Sequence, residues 1–211
     1  MTAFDLGAPD YDVLRFISDI NHGGVVNQFF TYFTLTGGFA FMLLTVIALY
    51  VAGARKEALV FAIVLGLTTI TTVGLKGITA RTRPNELTPH PEYASSFPSG
   101  HAAYAFGLAT TISAYHRRFS LLMFAWAVLV GFSRLYLGVH YLTDVLVGAL
   151  IGMGISFIVT RAAKRVDDEI SRIASTEPLS DWRDLRKLPC VFVKQLALVI
   201  HAIIEPNQTN D

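Results

Sequence analysis

Three short stretches of the chain hold residue types that can do chemistry together. The first is Lys76, six further residues, then Arg83-Pro84; the second is Phe97-Pro98-Ser99-Gly100-His101. The third is Ser133-Arg134, five residues, His140, three residues, and Asp144. On a helix, a spacing of four brings the Asp144 carboxylate beside the His140 imidazole. A carboxylate bonded to one ring nitrogen fixes the tautomer and leaves the other nitrogen free as base or nucleophile. Lys76, Arg83 and Arg134 supply positive charge for an anion. Ser99 and Gly100 open a helix, where backbone N–H groups attract an anion and a glycine permits its close approach. Each stretch alone has a plainer explanation. Cations at the end of a span snorkel to headgroups, Pro-Ser-Gly punctuates helix starts, and a His–Asp pair can be architectural. Two histidines, three cations and one carboxylate gathered on one face describe a reactive site for an anion. Arg81 falls outside this spacing and is assigned to headgroup contact or the surface.

Something must bring residues 76, 101 and 140 together, and the composition says what. Of 211 residues, 53% are hydrophobic and only 16% charged, with a formal net charge of +1. Mean hydropathy is +0.48. A soluble surface needs roughly a quarter of its residues charged, and a disordered chain carries fewer aromatics than the 12% here. The near-zero balance excludes the basic field of a nucleic-acid partner. Cys190, the only cysteine, can form neither an internal disulfide nor a zinc or iron–sulfur site. Five apolar stretches approach the length of a membrane span, at 30–53, 57–75, 101–115, 119–137 and 142–161. The third is short, with its start set by Pro98 in the first helical turn. The expected fold is an all-α, polytopic membrane bundle of five transmembrane helices in a lipid bilayer.

Charged connections orient such a bundle. Arg55 and Lys56, Arg117 and Arg118, and Arg161, Lys164 and Arg165 all fall on one face, which the positive-inside rule makes cytoplasmic. All three chemical stretches fall on the opposite, extracytoplasmic face, where Lys76, Arg81, Arg83 and Arg134 break the charge rule and ask for an anionic ligand. The start of the chain is acidic, without the basic region of a cleavable signal peptide. The expected organisation is an extracytoplasmic amphipathic segment over residues 1–29, a catalytic membrane domain over 30–163 and a cytoplasmic amphipathic tail over 164–211. In the tail, Val166, Ile170 and Ile173 share a helical face, and the chain breaks at Glu177-Pro178. Residues 190–204 are strongly apolar but short, and are read as an interfacial helix in preference to a sixth span. Gly148 and Gly152 form a small-xxx-small pair for close helix packing.

With these motifs in view, the chain resembles the type 2 phosphatidic acid phosphatase (PAP2) superfamily over roughly residues 30–160. Lys76-x6-Arg83-Pro84, Pro98-Ser99-Gly100-His101 and Ser133-Arg134-x5-His140-x3-Asp144 match its three-part signature without substitution. The resemblance implies that His140 attacks phosphorus to form a phosphohistidine and that Asp144 orients it. It implies that His101 protonates the leaving group and then activates water. Lys76, Arg83, Ser99, Gly100 and Arg134 would cradle the phosphoryl oxygens, with no metal or other cofactor. In a bilayer the expected substrate is a lipid phosphate or diphosphate, polyprenyl (undecaprenyl) diphosphate before phosphatidylglycerol phosphate, phosphatidic acid or lipid A. Transfer of the phosphoryl group to an acceptor other than water is the nearest alternative chemistry. The alternatives from other classes are a haloperoxidase holding vanadate and a non-catalytic headgroup-binding membrane protein. The expected location is a bacterial or archaeal cell membrane.

Overall fold

A computed structural model describes residues 8–20, 24–84 and 95–176, and within them every regular element is helical. The helices are α1 (Ala8–Ile20), α2 (Gly24–Phe33), α3 (Phe39–Val51), α4 (Arg55–Thr79), α5 (Gly100–Tyr115), α6 (Ser120–Tyr136) and α7 (Leu142–Thr176). The expected interfacial helix at 190–204 and the break at Glu177-Pro178 lie outside the described residues.

Among the described residues, three helical segments are long and apolar enough to cross a membrane: α4, α6 with the short turn preceding it, and α7. The first expected span is not one helix. α2 and α3 meet at 54°, and counted together they make a fourth crossing. The break follows from local chemistry: Thr34–Gly37 winds as a 3₁₀ turn, and Gly38 is extended (φ −76°, ψ 156°), so two adjacent glycines and two threonines interrupt the apolar run. α5 has 16 residues. That is about 24 Å of helix, short of a hydrocarbon core of about 30 Å. Pro98 does not sit in its first turn. Ser99 is the N-cap, accepting from the Ala102 N–H, so a hydroxyl cap sets the helix start and Pro98 precedes it. α7 is a single helix of 35 residues and runs through residue 164 without interruption.

The short α5 is the axis of the bundle, packed against α4, α6 and α7. Its small residues Ala102, Ala103, Ala105, Gly107 and Ala109 are buried. α7 lies tightly along it because its facing positions are glycines. A Cβ added to Gly152 would run into the Ala103 carbonyl, and one on Gly148 into the Ser99 carbonyl. In a membrane, where apolar side chains gain nothing by leaving lipid, such backbone approach supplies the packing energy. It also sets the N-terminal turns of α5 and α7 side by side.

The two ends of the bundle differ. At one, Lys56 pairs with Asp167 at 2.7 Å, His116 faces Glu57 at 3.5 Å, and Lys164 donates to the Ala114 carbonyl at 2.5 Å. The basic connections therefore share one end. The other end holds all three chemical stretches.

Candidate active site

His140 lies in the connection between α6 and α7. The last turn of α6 closes with Gly138 donating to Leu135 and Val139 to Arg134, and Gly138 takes a positive φ of 65°, which turns the chain back over the helix ends. His140 precedes α7 instead of lying in it, yet the spacing of four still brings the pair together. Asp144, in the first turn of α7, accepts from the Tyr141 N–H at 2.9 Å with Oδ2, and the same oxygen faces His140 Nδ1 at 3.4 Å. The contact with Asp144 thus occupies Nδ1 and not the other ring nitrogen. His140 is 2% exposed. Burial lowers its pKa to about 4; the Asp144 hydrogen bond opposes this and the Arg134 charge adds to it. The imidazole is therefore neutral near pH 7, the form a nucleophile needs.

The second stretch is tied to the third through backbone. The Ser99 N–H donates to the Asp144 carbonyl at 2.9 Å, and Ser99 is fully buried. A Cβ on Gly100 would meet only the Tyr104 ring at 3.7 Å, an ordinary contact, so protein crowding does not require this glycine. His101, in the first turn of α5, packs under the break between α2 and α3. Its ring lies 3.5 Å from a Cβ added to Gly37 and 3.6 Å from one added to Gly38. The cations that act on it are Arg134, Arg83 and Lys76.

The cations come from three elements. Lys76, in the last turn of α4, donates to the Ser95 carbonyl at 2.8 Å and reaches that of Ser96 at 3.5 Å. Arg83 follows α4, and burial lowers its pKa, with Asp144 opposing. Arg134, in the last turn of α6, donates from Nη1 to Thr34 Oγ1 at 2.9 Å, while its buried Nε has no hydrogen-bond partner among the described residues. An unmet cationic donor beside two further cations is a place for anionic oxygens. The eight sequence-predicted site residues thus gather at one end of the bundle.

One assignment from the sequence is overturned. Arg81 is neither at the surface nor in contact with headgroups: it is 3% exposed. Its Nη1 donates to Asp144 Oδ1 at 2.7 Å and its Nη2 to Asp10 Oδ2 at 2.8 Å. Ala80, the C-cap of α4, adopts a left-handed conformation (φ 45°) that ends the helix and sends the chain back under the site. The carboxylates outweigh burial and raise the Arg81 pKa. Asp10 and Thr34 were also missed. Asp10 is one of several acidic residues in its segment, and Thr34 is an ordinary apolar-stretch threonine, so neither carries a sequence signal of its own.

The model of the PAP2 superfamily matches residues 57–168. The chain belongs to the PAP2 superfamily, and it is a membrane lipid phosphatase. It is 33% identical over 163 residues to phosphatidylglycerophosphatase B of Bacillus subtilis, covering 70% of this chain and 78% of that protein. The crystal structure of Aquifex aeolicus LpxE superposes with a TM-score of 0.66 at 29% identity, over 76% of this chain and 99% of that one. A shorter match, 42% identical over 64 residues, is to an undecaprenyl-diphosphatase of Sulfolobus acidocaldarius and covers 30% of this chain and 31% of that one.

Proposed function

We propose that the enzyme hydrolyses a lipid phosphate or diphosphate at the extracytoplasmic membrane surface through a phosphohistidine on His140. The observation that carries this reading is the neutral, buried His140 held against Asp144 beside the open Nε of Arg134. In the first half-reaction the free His140 nitrogen attacks phosphorus. The phosphorus–oxygen bond to the lipid breaks, and His101 gives its proton to the leaving oxygen. In the second half, His101 takes a proton from water, which attacks the phosphohistidine and releases phosphate. Lys76, Arg83 and Arg134, with Ser99 and the Gly100 N–H, balance charge on the phosphoryl oxygens in both transition states. This chemistry draws on the chain's own side chains and backbone N–H groups and calls for no metal.

For the lipid, polyprenyl diphosphate is the first candidate. Phosphatidylglycerol phosphate is the second, favoured by the relative that aligns over most of the chain. An apolar cleft of about 430 Å³ between α3, α5 and α6, lined by Phe41, Leu108, Met123 and Trp126 among others, supports a lipid of either kind. Leu108 stands two turns below His101 on α5, about 10 Å, so a tail in the cleft leaves its phosphate near the histidine.

Phosphate release by detergent-solubilised protein from polyprenyl diphosphate, phosphatidylglycerol phosphate, phosphatidic acid and lipid A tests the reading. Release should survive EDTA, be blocked by vanadate, and disappear in His140→Ala, and the lipid with the highest kcat/KM identifies the substrate. Wild-type release by His140→Ala would remove the nucleophile. Activity lost to EDTA and restored by magnesium would demand another mechanism.

A further inference from the structure

Arg81 is held between two carboxylates, and only one of them belongs to the proposed reaction. From one side Nη1 reaches Asp144 Oδ1 at 2.7 Å and Thr143 Oγ1 at 2.8 Å; from the other, Nη2 reaches Asp10 Oδ2 at 2.8 Å. The arginine and aspartate side chains are 4%, 0% and 2% exposed, so this is a buried array. Asp10 does more than pair with the arginine. Its Oδ1 accepts from the Thr143 N–H at 3.1 Å, taking up a free donor at the start of α7, and its Oδ2 accepts from Thr143 Oγ1 at 2.5 Å. The flat face of the guanidinium lies over the Tyr141 ring at 4.0 Å, and Tyr11, next to Asp10 on α1, packs edge-on against Tyr141 at 5.4 Å. The chain running from Asp10 through Arg81 to Asp144 and His140 is therefore continuous, and it starts on a helix outside the three motif stretches.

The charges explain why a second carboxylate belongs there. As His140 takes on the phosphoryl group it becomes cationic, and Asp144 must offset that charge. Arg81 alone, in contact with Asp144, would cancel it. With Asp10 the buried array Asp10, Arg81 and Asp144 sums to one negative charge, which matches one imidazolium. Geometry acts in the same direction: the fork holds Asp144 Oδ1, so Oδ2 is the oxygen presented to His140.

We propose that α1 is part of the catalytic apparatus, with Asp10 acting through Arg81 as a positioning residue that keeps Asp144 aimed at His140 and its negative charge uncancelled. This rests on the reading of His140 and Asp144 as the reacting pair. A helix that only capped the bundle would affect stability and leave the chemical step alone.

A double-mutant cycle on the full chain in detergent separates the two, using the lipid phosphate that the wild type turns over fastest. Asp10→Asn should lower kcat about ten- to a hundredfold, the scale of one unbalanced charge in a partly screened site, with KM within about threefold. In the Asp144→Asn background, where nothing remains to aim, the same substitution should change kcat by less than about threefold. Wild-type kcat in Asp10→Asn, or an equal loss in both backgrounds, overturns the proposal. If Asp10→Asn does not fold, Arg81→Lys keeps the buried positive charge but cannot span both carboxylates. It should show the same loss in kcat, and wild-type kcat there also overturns the proposal. Full activity in Asp144→Asn itself would be a different failure, that of the reacting pair, and the role of Asp10 would fall with it.

Discussion

At the scale of single residues, Arg134 carries the most specific expectation. Its Nη1 is committed to Thr34, and its buried Nε has no hydrogen-bond partner among the described residues, so the guanidinium is held with a donor to spare. A lysine preserves the charge but cannot hold Thr34 and serve an anion through a planar fork at once. Arg134→Lys should lower kcat by roughly ten- to a thousandfold with a smaller change in KM, on the scale of a lost preorganised donor. Thr34→Val should do the same more mildly, about tenfold, by freeing the arginine to swing. Steady-state kinetics on one lipid checks both, and near-wild-type kcat in both would mean that charge alone suffices. His140 gives a second expectation, in pH. Its pKa is about 4 in the fold against 6.5 for an unperturbed imidazole. The unfolded chain therefore takes up a proton before the folded one as pH falls, so stability present above about pH 6.5 declines toward pH 4 and levels off below it. The full effect is on the order of 3 kcal/mol. Thermal unfolding at pH 7, 5.5 and 4 should show His140→Gln with a shallower decline than the wild type.

Elements hold these residues in place by approaching one another closely. Ser99 and Asp144 are joined by backbone, and this requires α5 and α7 to lie nearly in contact at Gly148 and Gly152. The obstacle to a larger residue at Gly152 is the Ala103 carbonyl, which cannot rotate aside. Gly152→Ala should lower stability by about 1–3 kcal/mol, the range for overpacking, and reduce kcat because the N-terminal turns of both helices hold the proposed reacting groups. Gly154 is the control, since a Cβ there meets nothing within 4 Å. Thermal midpoints and kcat of Gly152→Ala and Gly154→Ala make the comparison, and equal behaviour would refute tight α5–α7 packing. The break between α2 and α3 acts in the same way. A straight helix through residues 34–38 would place side chains where Gly37 and Gly38 now sit against His101.

For the molecule as a whole, the charge pattern and the fold agree on two unlike ends. Lys56, His116 and Lys164 mark one, and the reactive groups mark the other. On the positive-inside rule the first is expected to face the cytoplasm. In a Cys190→Ser background, a cysteine replacing the exposed Asp12 on α1 should react with an impermeant maleimide in intact cells, while one replacing the exposed Arg117 should react only after permeabilisation. The reverse pattern would invert the orientation. On the proposed role of Asp10, α1 would count as part of the working enzyme.

The parts defined by residue type and spacing were legible before any fold was known. The His140–Asp144 pair, the candidate cations and the apolar helices are all local patterns, because a hydrogen-bonded pair four residues apart or a run of apolar side chains needs no knowledge of the rest of the chain. Gly148 and Gly152 were legible in the same way, since small residues at that spacing mark close packing. What Arg81 does depends on how the helices pack. An arginine two residues before Arg83 looks like a snorkelling side chain until the left-handed turn at Ala80 carries it inward and α1 brings Asp10 to meet it. The same holds for Thr34, which meets Arg134 100 residues further along the chain, and for the bend at Gly38, which packs against His101 63 residues on. Pairings over such separations leave no periodic trace, because they depend on which helix ends the bundle sets side by side.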